Sequence, residues 1–248
     1  MAKSVFLSNI FEQRKTIDTL LEESRVDADY YLFLFFGTFI TVLGLIFGNA
    51  VIIMAGMIIT PILFPVLSLG MGLATVSKKA ITRATLILFK SSILVFAISI
   101  VITFLTNENN ITEQMLIASR PDIWLFLIAF FSGIVAAYSW MRKGTSIALP
   151  SIALSVSLIV PLSAVGISVS IAPFSREIFS GALMLFVINL LGVVLASTIV
   201  FLLFGFSNLQ QWQDNKIKEE KEEEKKDKSK KNLLDHDDVG DVVSSNIT

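Results

Sequence analysis

The side chains that could do chemistry inside this chain are few and neutral. Thr60, Ser157 and Asn189 lie in otherwise apolar surroundings, close to Pro61, Pro65 and Pro161. A proline within a helix leaves the carbonyl four residues back without its amide donor. In hydrocarbon such a carbonyl must be met by protein or water. The carbonyls of Met57, Pro61 and Ser157, the hydroxyls of Thr60, Ser155, Ser157 and Ser163, and the Asn189 amide therefore form a set of neutral groups. Such groups can replace part of the hydration shell of a solute or ion. The bland alternatives are equally definite: the prolines shape kinks for packing, and Asn189 joins two helices by a hydrogen bond. Lys90, in LILFKSSILVF, either snorkels to the membrane surface or lines a solute pathway.

Other chemistries lack their groups. There is no cysteine, and the single histidine, His236, lies in a charged C-terminal segment. No Asp or Glu falls inside an apolar stretch. We therefore expect no catalytic residues, no metal, no cofactor and no enzymatic activity.

The elements that position these residues follow from the distribution of charge. Of 248 residues 54% are hydrophobic, and residues 30–213 carry only 12 charged side chains, against 10 in residues 1–29 and 19 in the last 35. This excludes a soluble globular domain and describes a membrane body with wet ends. Apolar stretches at about 30–47, 50–75, 85–105, 123–141, 148–172 and 178–206 are each long enough to cross hydrocarbon, which takes roughly 20 helical residues. The expected fold is all-α: a polytopic membrane protein of six spans. Pro61 and Pro65 make the second span either one kinked helix or two half-helices. Aligning the second stretch with the fifth sets Pro61 over Pro161 at an offset of 100, with Ile52 over Ile152, Ile59 over Ile159 and Ser68 over Ser168. Two three-span units, about 30–105 and 123–206, then form a 3+3 inverted repeat with proline-broken helices two and five.

Six spans put 17 of the 20 Lys and Arg residues on one side, so both termini are expected in the cytoplasm. Residues 1–29 read as a cytoplasmic lead-in in which Phe6, Ile10, Ile17 and Leu21 share a helix side, suited to lying on the inner leaflet. Residues 207–248, rich in Lys, Glu and Asp, read as a disordered charged tail, whose near-neutral stretch 216–231 is not a polybasic binder of lipid or nucleic acid. Gly44 and Gly48, and Ala129, Gly133 and Ala137, recur at four-residue spacing and are candidate packing positions. Gly44, Gly48, Ala129 and Gly133 are also candidate contacts in a homo-oligomer. The bilayer is the one partner the composition itself implies.

Four ordered segments carry a resemblance: GNAVIIMAGMIITPILFPVLSLGMGLAT, SRPDIWLFLIAFFSGIVAAYS, LPSIALSVSLIVPLSAVGIS and GALMLFVINLLGVVLASTIVFLLFGF. Over about residues 26–206 the chain resembles the uncharacterised hydrophobic-domain family of prokaryotic membrane proteins, domain of unknown function 389. That family's GAMLIAPLMGPI motif is matched from Ala55 to Ile62 with Pro61 and Pro65 in place. Its Arg-Pro-Asp is matched by Arg120, Pro121 and Asp122, and its LFLTNL by Leu185 to Leu190 with Asn189 retained. Two departures stand out: Phe64 replaces a glycine, and the fifth segment's double proline is reduced to Pro161 followed by Leu162. The resemblance implies a multi-pass protein of a bacterial or archaeal plasma membrane and names no substrate. A small-solute or ion transporter is the leading expectation, on the strength of paired broken helices and neutral polar atoms at depth. The alternative is a membrane scaffold or sensor subunit without transport.

Overall fold

The chain turns where its capping and left-handed residues allow. A computed structural model describes residues 10–108, 110–142, 148–171, 174–222 and 226, with the backbone alone over 148–152. An initial helix α1 (Ile10–Glu23) precedes α2 (Ala28–Ile46). Gly48 takes φ +65°, and the Asn49 side chain accepts from the amides of Val51 (3.0 Å) and Ile52 (3.3 Å), so two residues reverse the chain and cap α3 (Ala50–Ile59). Thr60, the residue before a proline, is extended at φ −76° and ψ 120°, which stops α3. α4 (Leu63–Ala74) then starts with Pro65 in its first turn, where no backbone donor is missed. α3 and α4 are bent by 59° at this break.

Ser77 caps α5 (Lys78–Thr106), which ends at left-handed Asn107. The short α6 (Glu113–Ala118) follows, then α7 (Ile123–Met141) with Asp122 as its cap, α8 (Ala148–Ser170) and α9 (Arg176–Leu203). A 3-10 turn at Phe206–Asn208 leads to a last helix, α10, over residues 210–222. No strand occurs among the described residues.

Five helices, α2, α5, α7, α8 and α9, are long and apolar enough to cross a membrane, while α3 and α4 meet the same measure only as a pair. Large apolar side chains face outward from them, among them Phe104 (80% exposed) and Leu105 (75%). A water-facing surface would not carry so much of this, whereas lipid accepts it. α8 is the innermost helix: 72% of its apolar window is buried, against 28% for α7 and 33% for α5. It packs on α2 and α3, on α5, and on α7 and α9, while α4 lies between α5 and α9.

Three expectations need correction. α8 runs unbroken through Pro161, so the fifth helix is not broken there. The α1 helix exists, yet its buried residues Ile17, Leu20 and Leu21 face the bundle while Ile10 stays exposed; Phe6 lies outside the described residues. The segment read as disordered from residue 207 is helical and docked to residue 222, with Gln213, Ile217 and Glu220 buried. These three share one face at i, i+4 and i+7, a periodicity that the charge-rich composition hides. Apart from residue 226, the rest of that segment lies outside the described residues.

α10 is held on the turn between α4 and α5. The Thr75 hydroxyl donates to Gln213 Oε1, Ser77 Oγ donates to Asp214 Oδ1 at 2.6 Å, and Arg83 binds Glu220, which also meets Arg25 at 3.6 Å. α1 closes the same end. Gln13 Nε2 donates to the Phe204 carbonyl at 2.8 Å, Trp212 Nε1 donates to Asp18 Oδ1 at 3.0 Å, and the Arg14 guanidinium lies 4.5 Å from the Trp212 ring.

Candidate functional site

The site is built from the α3–α4 break and two neighbouring helices. α2 reaches α3 so closely that no side chain fits between them: a Cβ on Gly56 would lie 2.6 Å from both the Gly37 carbonyl oxygen and the Thr41 amide nitrogen. Each helix uses the same device four residues on. Thr41 Oγ1 donates to the Gly37 carbonyl at 2.8 Å and Thr60 Oγ1 to the Gly56 carbonyl at 2.9 Å, so both hydroxyls are satisfied by their own helices. Thr60 is thereby fixed at the break, 2% exposed, with its carbonyl directed at α8, where Ser155 Oγ donates to it at 3.4 Å.

On α8 the predicted free carbonyl is present and has found a donor. Pro161 removes the amide that would bond Ser157 O, and Asn189 Nδ2 of α9 supplies a substitute at 2.9 Å. This is the physical reason why α8 remains one helix: a buried carbonyl met from outside need not bend away to find a partner. The Asn189 side chain is 2% exposed, and its Oδ1 has no hydrogen-bond partner among the described residues. Thr38 Oγ1 of α2 and Ser163 Oγ of α8 are two further buried oxygens in that condition. An amide oxygen and two hydroxyls without a partner among the described residues of the core are groups with capacity to bind a donor, a water or a desolvated cation.

The predicted residues divide accordingly. Thr60 and half-buried Pro61 form the break, Pro65 is buried in the first turn of α4, and Ser157, Pro161 and Asn189 form the α8–α9 contact. Ser155 and Ser157 are two residues apart, about 200° around a helix. The break and Asn189 therefore grip α8 from different sides rather than meeting face to face. Phe64, the residue in place of a family glycine, packs edge-on against Trp140, ring centres 5.6 Å apart. Lys90 belongs elsewhere: it is exposed on α5, in a groove with Lys78, Lys79 and Arg83.

The packing positions are filled within the chain. Gly44 meets α3, with a Cβ only 2.6 Å from Ile53 N, and Gly133 meets α9, where a Cβ would lie 2.9 Å from Val193 O. Ala129 and Ala137 are fully buried. Gly48 is a turn residue at positive φ and not part of a helix face. Gly44, Ala129, Gly133 and Ala137 are thus covered within the chain, while Gly48 is half-buried. Other small-residue contacts escaped the sequence reading, among them Gly37 of α2 against Gly56 of α3, Gly70 of α4 against Ser197 of α9, and Gly166 of α8 against Ser99 of α5. Thr38 escaped it too, although its place beside Gly37 and three residues before Thr41 in GTFIT was the available signal.

Comparison with known proteins places this geometry in a family. No solved structure matches the chain. An uncharacterized protein of Methanocaldococcus jannaschii is 26% identical over 190 residues, which cover 77% of this chain and 58% of that protein, so the chain spans less than two thirds of that relative's length. Residues 57–195, more than half the chain, match the family described as Domain of unknown function (DUF389), and that interval contains Thr60, Pro61, Pro65, Lys90, Ser157, Pro161 and Asn189. With the α3–α4 break and the asparagine-bridged proline helix both inside the matched interval, the chain belongs to the DUF389 family.

Proposed function

We propose that this protein is a six-span transporter of a small solute or ion in a bacterial or archaeal plasma membrane, with its binding region along α8, which the α3–α4 break meets on one side and Asn189 on another. The observation that carries the reading is the buried, unpartnered Asn189 Oδ1 on the side chain that bridges the Pro161 carbonyl gap. Neutral oxygens at a helix irregularity suit a site that binds weakly enough to release its cargo.

The count of six is supported by the contacts at the two ends of the bundle. α1 and α10 touch each other, which favours an even number of crossings. The α2–α3 turn lies by Thr112 and Gln114, whereas the α4–α5 turn lies by Gln213 and Asp214, so the bent pair leads from one end to the other. An inverted repeat is supported by reciprocal packing: the middle segment of each unit meets the third helix of the other, α4 on α9 and α8 on α5, each through a glycine against a serine. The Lys and Arg distribution favours cytoplasmic termini. Cysteines introduced as Asn110→Cys and Gln211→Cys test this in intact cells with an impermeant maleimide. We expect only the first to label, and labelling of the second before lysis would reverse the orientation.

Transport itself is tested in liposomes containing the purified chain, screened with amino acids, organic anions and inorganic ions under imposed gradients. The wild type should accumulate one class. Asn189→Leu should lower that uptake about tenfold, the effect of losing 1–2 kcal/mol of interhelical hydrogen bonding, while Leu202→Ala on the lipid face should leave it unchanged. Absence of any gradient-driven uptake by a correctly inserted wild type would favour the scaffold or sensor reading, for which the α1–α10 platform is the natural docking surface.

A further inference from the structure

A groove of about 650 Å³ opens where the first turns of α5 meet the start of α2 and the side of α10. Lys78, Lys79, Arg83, Lys90 and Lys221 line it, and Glu220 is the only acid among its lining residues. That acid is already engaged, since Glu220 is buried and held by Arg83 and by Arg25. Lys78 and Lys90 form no ion pair among the described residues, and although Asp214 acts on Lys79, these two lysines leave positive charge in the groove without a carboxylate at ion-pair distance.

Depth identifies what would balance it. Lys78, Thr82, Leu86 and Lys90 recur at four-residue spacing along one face of α5, and Lys90 lies about 18 Å along the axis from Lys78. Helical side chains lean toward the N-terminus, which directs the Lys90 ammonium back toward the basic end. Below that end α5 turns apolar: Leu86, which lines the groove, is 53% exposed, and Phe89 (63%) and Ile93 (52%) continue the exposed apolar surface outside it. A soluble phosphate would use the basic end and leave both Lys90 and this apolar stripe without a role. A diacyl phospholipid uses all of them.

We propose that this groove is a binding site for an anionic phospholipid, with the headgroup lying between the Lys78–Lys79 end and the upturned Lys90 ammonium, and the acyl chains leaving past Leu86 onto the exposed apolar surface of α5. Basic recesses at the end of a helix bundle attract such headgroups, whose phosphate lies at the level of the first helical turns. The composition of residues 216–231 is near neutral, but α10 turns Glu220 inward to the arginines and leaves Lys221 in the groove, so position overrides the sum.

Native mass spectrometry of the full chain, with added phosphatidylglycerol or phosphatidylcholine of identical acyl chains, tests this. Phosphatidylglycerol should be retained preferentially, and Lys78→Gln and Lys90→Gln should each lower its retention about fivefold. Lys90→Arg should retain it, and Lys15→Gln on α1 should change nothing. Because Lys78 and Lys90 are exposed, their variants should elute from size exclusion as the wild type does; if either does not, the Lys90→Arg result decides. Equal retention of the two lipids, or indifference to both glutamine variants, would overturn the proposal. Full displacement of phosphatidylglycerol by millimolar inorganic phosphate would overturn it as well, by assigning the basic end to a soluble anion.

Discussion

Gly56→Val is expected to separate α2 from α3 and to lower stability by about 3 kcal/mol, at the upper end of overpacking costs. The reason for the upper end is that the obstacles are backbone atoms, Gly37 O and Thr41 N, each 2.6 Å from the position a Cβ would take. A rotamer change elsewhere cannot relieve them. For a chain of this size the loss corresponds to a fall of roughly 6–12 °C in melting temperature. Ile58→Val, at a 65% exposed position two residues away on the same helix, should shift it by no more than about 2 °C. Thermal scans of the detergent-solubilised variants give the comparison, and a Gly56→Val protein that melts with the wild type would refute the close approach. Thr60 is held at the break by the same pair of helices, so the variant should also lose uptake in any assay in which the wild type is active.

The second large effect belongs to Glu220. Its carboxylate is 6% exposed and lies between Arg83, 17% exposed, and Arg25, 40% exposed. Removing one member of a buried pair costs 3–5 kcal/mol because its partner is left uncompensated, whereas exposed pairs are worth 1 kcal/mol or less. With both arginines in partial contact with water, Glu220→Ala should cost about 2 kcal/mol, between those limits. The loss falls on the docking of α10 rather than on the membrane body. Trypsin should then cut at Lys216 and Lys218 on the order of tenfold faster than in the wild type, with the fragment up to Phe204 left intact. Unchanged cleavage would mean that Gln213, Asp214 and Ile217 hold the helix without the ion pair.

These two sites mark where the sequence could and could not be read. Span positions were readable because the burial of apolar residues in lipid depends on composition over long windows, and the break at Pro61 was readable because the restriction a proline places on the preceding residue is local. Pro161 was not, because whether a proline breaks a helix depends on a donor elsewhere, and Asn189 lies 32 positions beyond the Ser157 carbonyl it bonds. The small-residue stripes named the right kind of contact but not the partner, since a glycine facing lipid and one facing a helix are written alike. In the α10 segment composition outvoted spacing: Lys and Glu set the average, while Gln213, Ile217 and Glu220 set the face.

The bond between Gln13 and the Phe204 carbonyl joins residues 191 positions apart, and it sets a clock on assembly. At translation rates of roughly 5–20 residues per second, about 10–40 s pass between the synthesis of α1 and that of its docking partner. Until α4 is made, Ile17, Leu20 and Leu21 have no protein surface to cover them, and afterwards α1 still lacks its partners beyond α9; the nearest apolar phase is the bilayer at the ribosome exit. An amphipathic helix lying on the membrane thus describes the nascent chain, and the clasp between α1 and the segment after α9 describes the finished one. α1 is the first of the described helices to be made, and its clasp is among the last contacts to close.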